Sequence, residues 1–439
     1  MAGKGIELWK RAKRIIPGGS QLLSKRSEMF LPDQWPSYYS KAKGISVWDL
    51  DGKEYKDMTI MGVGACILGY ADDDVNAAVI KAVEGGSMCT LNCPEEVELA
   101  EKLIKLNPWA QMVRYTRTAG EALAAAIRIA RAHTKKEKVA FCGYHGWHDW
   151  YLAANLASDK NLDGHLLPGL SPSGVPRGLT GTSIPFEFNR DDQLAEIMEK
   201  HKDVGAIVVE PMRHNFPKKD FLKNVRKIAD EAGAVLLFDE TTSGWRMNVG
   251  GIHALLGTTP DMAVYGKAMS NGYPMAAIVG KGDVMNAAQG SFISSTYWTE
   301  RVGPAAALAT ISKLEKNDVP SHLKKIGTEI GQGWDKIAKE KGLDITLMPE
   351  FSPLITFSFD YAGKSQAIST LFTQEMLERG YLASKSVYVS YAHKHEDVAT
   401  YMGQVDEVFG LLKKAIDEGS VEKRLKGPVA HTGFRRLTS

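Results

Sequence analysis

The sequence predicts an α/β protein built on a large, mainly parallel sheet, and three observations predict it. First, short apolar runs recur at 138–142, 204–209, 235–238, 262–265 and 276–279, each bounded by polar or glycine positions. Runs of four to eight apolar residues fit buried strands. Second, segments of helical periodicity alternate with them, such as 119–132 and 221–232. Strand, helix, strand in succession implies right-handed parallel crossovers. Third, polar residues stand just past several of the runs: Glu210-Pro211, Asp239-Glu240 and Gly266-Lys267. Open α/β sheets bind ligands beyond the C-terminal ends of their strands.

The remaining elements follow in order. Residues 6–15 are amphipathic and stop at Pro17-Gly18-Gly19. Residues 46–57 alternate apolar and polar around Asp51-Gly52, a hairpin signal. Residues 77–83 and 97–106 read as helices around a loop, GGSMCTLNCP, and 113–116 as a strand. Residues 152–178 are irregular, and 195–200 end a helix. The stretch 291–311 turns into a helix, and from 319 onward the pattern becomes helix, strand and helix. No internal repeat stands out.

At 439 residues the chain is long enough for two domains and a large core. A net charge of +2 gives no electrostatic case for nucleic acid or a membrane surface. Cys66, Cys89, Cys93 and Cys142 form no zinc-type pair and read as reduced thiols. The first residues hold no apolar core long enough for a signal peptide, and no run approaches a membrane span, so a cytoplasmic location is expected. His145, His148 and Asp149 match no usual closed metal site, so no metal is expected.

Asp239 and Lys267 carry the chemistry. Alone, a strand-end Asp is ordinarily a turn residue and a lone Lys a solvated charge. Together, each at the end of a strand, they form the pair that pyridoxal phosphate requires. The lysine forms the Schiff base, and the carboxylate pairs with the protonated pyridine nitrogen.

The order FDETTSGWR, TPD, GKAMSNGYP resembles the class III aminotransferases of fold type I, in the subgroup typified by glutamate-1-semialdehyde aminomutase. The resemblance runs from Pro17-Gly18-Gly19 to about His395. It implies a fold type I transferase: a large domain at 71–318, and a small α/β domain built from both chain ends, 1–70 and 319–439. It also implies pyridoxal 5'-phosphate as cofactor and an amino donor and carbonyl acceptor as substrates. Catalysis is expected from Lys267 and Asp239. By the same resemblance Tyr144 stacks on the ring, Glu210 lies near the cofactor, and Thr299 reaches the phosphate of the neighbouring subunit in a homodimer. Lys25 or Arg26 lies near the place of an arginine that contacts the substrate carboxylate.

Three departures from the family pattern stand out. Thr118-Ala119-Gly120 replaces Ser-Gly-Thr in the phosphate turn, so one hydroxyl is missing and the amides of Ala119 and Gly120 carry more of the phosphate. Thr241 stands where the family has Val. The aminomutase tryptophan near Val63 is absent, and 383–393 is short and lacks the aminomutase glutamate. Net aminotransfer is therefore the first reading, aminomutase the second, and a non-catalytic relative the third, against which the intact Lys267 and Asp239 argue. Endings like GPVAHTGFRRLT suggest an acceptor from a sugar pathway, and Arg435-Arg436 reads as a solvated basic tail.

Overall fold

The computed structural model describes residues 3–434 and 437. They form two compact units, 73–320 and the combined ends 1–72 and 321–439.

In unit 73–320 a seven-stranded sheet runs in the order Met112–Thr116, Ala276–Gly280, Met262–Tyr265, Val235–Asp239, Val204–Val209, Lys138–Cys142, Ser183–Pro185. The five strands from Met262–Tyr265 to Ser183–Pro185 pair in parallel, and Ala276–Gly280 pairs antiparallel with both its neighbours. Apart from Lys138 and Asp239 at strand ends, the central strands carry no charged residue, because both faces are covered. Alternate residues point to opposite faces. Val139, Phe141, Ala206, Val208, Val235 and Leu237 pack with Ala122, Ala126 and Ile129 of the helix Ala119–Thr134. Ala140, Cys142, Ile207, Val209, Leu236 and Phe238 pack with Leu222, Val225 and Ala229 of the helix Phe221–Ala232. Each buried Val, Leu, Ile or Phe among them contributes about 1.5–3 kcal/mol against leaving it in water.

The sheet is pinned at its other end by Asp261. Its carboxylate accepts from Leu236 N, Arg226 and Lys281, each at 2.8 Å. Burial pushes its pKa up, but these donors hold it below the ordinary value. The Asp of the TPD motif is therefore structural.

The other unit carries two small sheets. One orders Tyr39–Lys43, Ser46–Asp49, Glu54–Met58 and Tyr381–Ala383, so the two ends of the chain share a sheet. The hairpin expected around Asp51-Gly52 forms there, with Gly52 at φ +85°. The second is antiparallel, Ile345–Met348, Leu354–Phe359 and Ser386–Tyr388. Phe357 meets Trp334, Phe359, Phe372 and Phe409 at ring distances of 4.7–6.0 Å. The 383–393 segment ends on buried His393, whose Nε2 lies 3.0 Å from the Asp57 carbonyl. Arg435 and Arg436 lie outside the described residues.

Candidate active site

The parallel strands end side by side, which brings Cys142-Gly143, Glu210, Asp239 and Gly266-Lys267 together. A Cβ placed on Gly266 would lie 3.1 Å from Ala119 Cβ and 3.6 Å from Thr241 Cγ2. The lysine turn, the start of the helix Ala119–Thr134 and the residue two past Asp239 therefore line one place.

Asp239 is buried, 3% exposed. Its Oδ2 lies 2.8 Å from His145 Nδ1, and its Oδ1 accepts from Thr241 N at 3.0 Å. His145 Nε2 faces the Cys142 carbonyl at 3.2 Å. Both ring nitrogens of His145 thus face acceptor oxygens. Burial pushes the Asp239 pKa up; the bond and charge of His145, and then Thr241, pull it below the ordinary carboxylate value. The carboxylate is held ionised where it is most costly to bury one.

Neighbouring Glu240 does something else. Fully buried, it accepts from Ile252 N at 3.0 Å, His253 N at 2.9 Å and Ser243 Oγ at 2.7 Å, and its Oε1 lies 2.8 Å from His253 Nδ1. It braces the segment after the site.

Lys267 has φ +43°, the left-handed region that a lysine enters only where the surroundings force it. Its Nζ donates to Thr242 Oγ1 at 2.8 Å. Burial, then the Arg213 charge, push its pKa down to about 8, against Glu210 and Asp239. Glu210 accepts from Tyr144 N at 2.8 Å and pairs with Arg213, whose Cζ stands 5.9 Å from the centre of the Tyr144 ring. Gly143, at φ +122°, makes room: a Cβ there would lie 2.7 Å from Glu210 Oε2. Beyond these residues lies a cavity of about 270 Å³ lined by His165, Glu187, Glu210, Arg213, His214 and Asn215 among others.

A family model described as Aminotransferase class-III matches residues 32–387. The chain belongs to the class III aminotransferases. The 3-aminobutyryl-CoA aminotransferase of Cloacimonas acidaminovorans is 32% identical over 425 residues, 94% of this chain and 98% of that one. The 2'-deamino-2'-hydroxyneamine transaminase of Streptomyces kanamyceticus is 32% identical over 342 residues, 76% and 82% of the two chains. The glutamate-1-semialdehyde 2,1-aminomutase of Ignicoccus hospitalis is 31% identical over 402 residues, 88% and 93%. Among solved structures, an omega-transaminase from Sphaerobacter thermophilus matches with a TM-score of 0.81 at 25% identity, covering 94% of this chain and 97% of that one. The fold is that of the pyridoxal phosphate transferases, as the sequence predicts, and the protein is a pyridoxal phosphate-dependent aminotransferase.

The residues of this aminotransferase fit the cofactor. An ionised buried carboxylate, an amine of lowered pKa and a helix start converge on one place. The amides of Ala119 and Gly120, first and second in that helix, have no intrahelical acceptor. The Thr118 hydroxyl caps the helix, accepting from Glu121 N at 3.3 Å, while Glu121 Oε2 accepts from Thr118 N at 2.9 Å. The cap uses the hydroxyl as an acceptor and leaves its O–H to donate. Thr299 is exposed and donates to the Thr296 carbonyl at 3.1 Å; in the helix that follows, Val302–Lys316, the amides of Val302 and Gly303 donate to the Glu300 carboxylate instead, at 2.7 and 2.8 Å. In the other unit Lys25 is exposed, and Arg26 packs against Gly18 and the Phe434 ring.

His145, Thr242 and Arg213 were not singled out as site residues from sequence. His145 stood beside His148 and Asp149 in a cluster read only for metal, and the three separate: His145 turns to Asp239, His148 to Gly120, and Asp149 to solvent. Among the described residues no group of three or more His, Cys, Asp or Glu is placed to hold a metal ion. No described helix is long and apolar enough to cross a membrane.

Proposed function

We propose that this aminotransferase carries out net transfer in two separate half-reactions, with Lys267 and Asp239 as its catalytic residues. When bound, pyridoxal phosphate supplies an electron sink for the carbanion formed at the donor carbon. Asp239, held ionised by His145, keeps the proton on the ring nitrogen. Lys267 Nζ, poised near neutral pH, moves the proton at the donor carbon. Tyr144 covers the ring and Glu210 positions it through the Tyr144 amide. Ala119, Gly120 and Thr118 form the phosphate end, with Thr241 beside the ring. The observation that carries the reading is the lowered pKa of a buried lysine beside a buried, ionised aspartate.

Net transfer is favoured over isomerisation because Val63 and the short 383–393 segment stand where the aminomutase would line a closed pocket. Lys25 and Arg26 are candidates to meet an anionic substrate group. The likeness to a 2'-deamino-2'-hydroxyneamine transaminase, together with the GPVAHTGFRRLT stretch, supports an acceptor from a sugar pathway. Four free cysteines fit a reducing cytoplasm.

A homodimer completes the reading. Leu91, Val97, Phe292 and Tyr297 are large apolar residues left 62–89% exposed. Arg301 ties the two stretches that carry them, donating its amide to the Ser87 carbonyl and pairing with Glu95. An apolar patch next to Thr299 suits a twofold contact that carries Thr299 to the neighbouring site.

The test is donor alone. L-glutamate, L-alanine or another member of an amino acid panel should release one keto acid per active site and then stop until an aldehyde or ketone is added. Lys267→Ala should release none and lose the cofactor's visible band. Isomerisation of glutamate-1-semialdehyde with no external acceptor, and no response to any donor, would establish the aminomutase instead.

A further inference from the structure

We propose that His148 is a cofactor-binding residue of this chain: its Nδ1–H donates to the cofactor phosphate, in the place of the side chain that Gly120 lacks. The inference rests on the phosphate end assigned above to Thr118, Ala119 and Gly120.

Three observations carry it. The first is place. A Cβ on Gly120 would lie 2.6 Å from His148 Cε1 and 2.9 Å from its Nδ1. The imidazole thus fills the space into which any side chain at the second residue of the helix would project. Cα–Cβ bonds tilt toward the helix N-terminus, so this is the space beside the free amides. The second is need. His148 Nδ1 is buried and has no hydrogen-bond partner among the described residues. A buried donor left unpaired costs about 1–3 kcal/mol, so such an atom calls for a partner that the protein alone does not provide. The third is shortage. Gly120 has no hydroxyl, so within this chain a phosphate there meets the backbone amides and the single O–H of Thr118, whose oxygen already accepts from Glu121 N in the cap.

The surroundings hold the ring in place. Trp147 stacks on it at 4.4 Å between centres. Glu121, on the helix, and Asp149, its chain neighbour, are the carboxylates that face it. Burial lowers the imidazole pKa despite these two charges. A neutral ring has one N–H to place, and Nδ1 is the end turned to the helix start. A sequence with Gly in the turn and His six residues past the strand end at Cys142 has thus exchanged a hydroxyl on the helix for a ring brought from the next loop.

The test compares pyridoxal phosphate with pyridoxal, which lacks the phosphate, as ligands of the full-length chain stripped of cofactor. Binding is read from the visible absorbance and melting from circular dichroism. His148→Ala should weaken pyridoxal phosphate by about tenfold to a hundredfold, the worth of a hydrogen bond to a charged acceptor, and leave pyridoxal unchanged. His148→Asn, which keeps a donor near the same position, should retain most of the affinity. Gly120→Thr on the His148→Ala background, where the ring no longer blocks the side chain, should restore part of it. The bound phosphate's ³¹P resonance should shift in His148→Ala and move back in the double variant. Equal weakening of both ligands would make His148 a packing residue and overturn the proposal. No weakening of either would overturn it too. Gly120→Asp on the same background then separates the two ideas. If it weakens pyridoxal phosphate selectively, the phosphate end stands and only the role of His148 falls. If it does not, the phosphate end itself is wrongly placed.

Discussion

Replacing Arg213 with Gln should raise the pKa of Lys267, and the sign is unambiguous. Arg213 is the largest charge effect pushing the lysine down, second only to burial. Its removal also frees the charge of Glu210, which pushes the lysine up. Both changes favour the protonated amine. An amine with a pKa of about 8 is about one-tenth neutral at pH 7, whereas one at 10.5 is about 0.03% neutral, a ratio of about 300. Only the neutral amine attacks an aldehyde, so this ratio sets the rate at which the stripped protein captures pyridoxal phosphate. Loss of one neighbouring charge is worth roughly one pKa unit. Capture by Arg213→Gln at pH 7 should therefore slow about tenfold, and the inflection in its pH profile should move from about 8 to about 9. Stopped-flow absorbance between pH 6 and 10 measures both. The stability of the stripped protein carries the same signature. Folded Lys267 releases its proton before unfolded lysine does, so the penalty for its buried charge is present below about pH 8 and is relieved as pH rises toward 10.5. An inflection that stays near 8, or falls, in a variant that melts like the parent would refute the account of Lys267.

Four further outcomes are expected. Asp239→Asn should keep the cofactor but slow turnover by about 10²-fold or more, because a neutral amide does not hold the ring proton; His145→Gln should instead move the acid limb of the rate profile to higher pH, since His145 is what lowers the Asp239 pKa. Turnover profiles against pH check both. Gly143→Ala should cost about 1–3 kcal/mol of stability, read as a lower Tm, because the position is left-handed and a Cβ would strike Glu210. Phe292→Glu should shift the molecular mass measured by light scattering from dimer toward monomer, and a parent protein that is fully active as a monomer would remove the dimer.

The sequence by itself determined the sheet and the two residues at its strand ends. Strands covered on both faces are mostly apolar, so 204–209, 235–238 and 262–265 announce themselves as unbroken runs, and the first charged residue after each, Glu210, Asp239 and Lys267, marks the C-terminal edge of the sheet. Hydrophobic periodicity and turn residues are local signals, and they also sufficed for the hairpin around Gly52 and the helices Pro94–Leu106 and Phe221–Ala232. Tertiary structure alone decided what each polar residue does. Asp239 and Glu240 are adjacent carboxylates that no pattern distinguishes; successive residues leave a strand on opposite sides, so one meets His145 and the other braces 252–253. His145 is 94 residues from Asp239, and His148 meets the helix start only because the Lys138–Cys142 strand ends beside it. Pairings of that kind depend on strand order and on which loop lies over which helix, and a charge 54 residues away at Arg213 tunes Lys267 for the same reason. Electrostatic effects act through space, and space is what the order of residues along a chain leaves open.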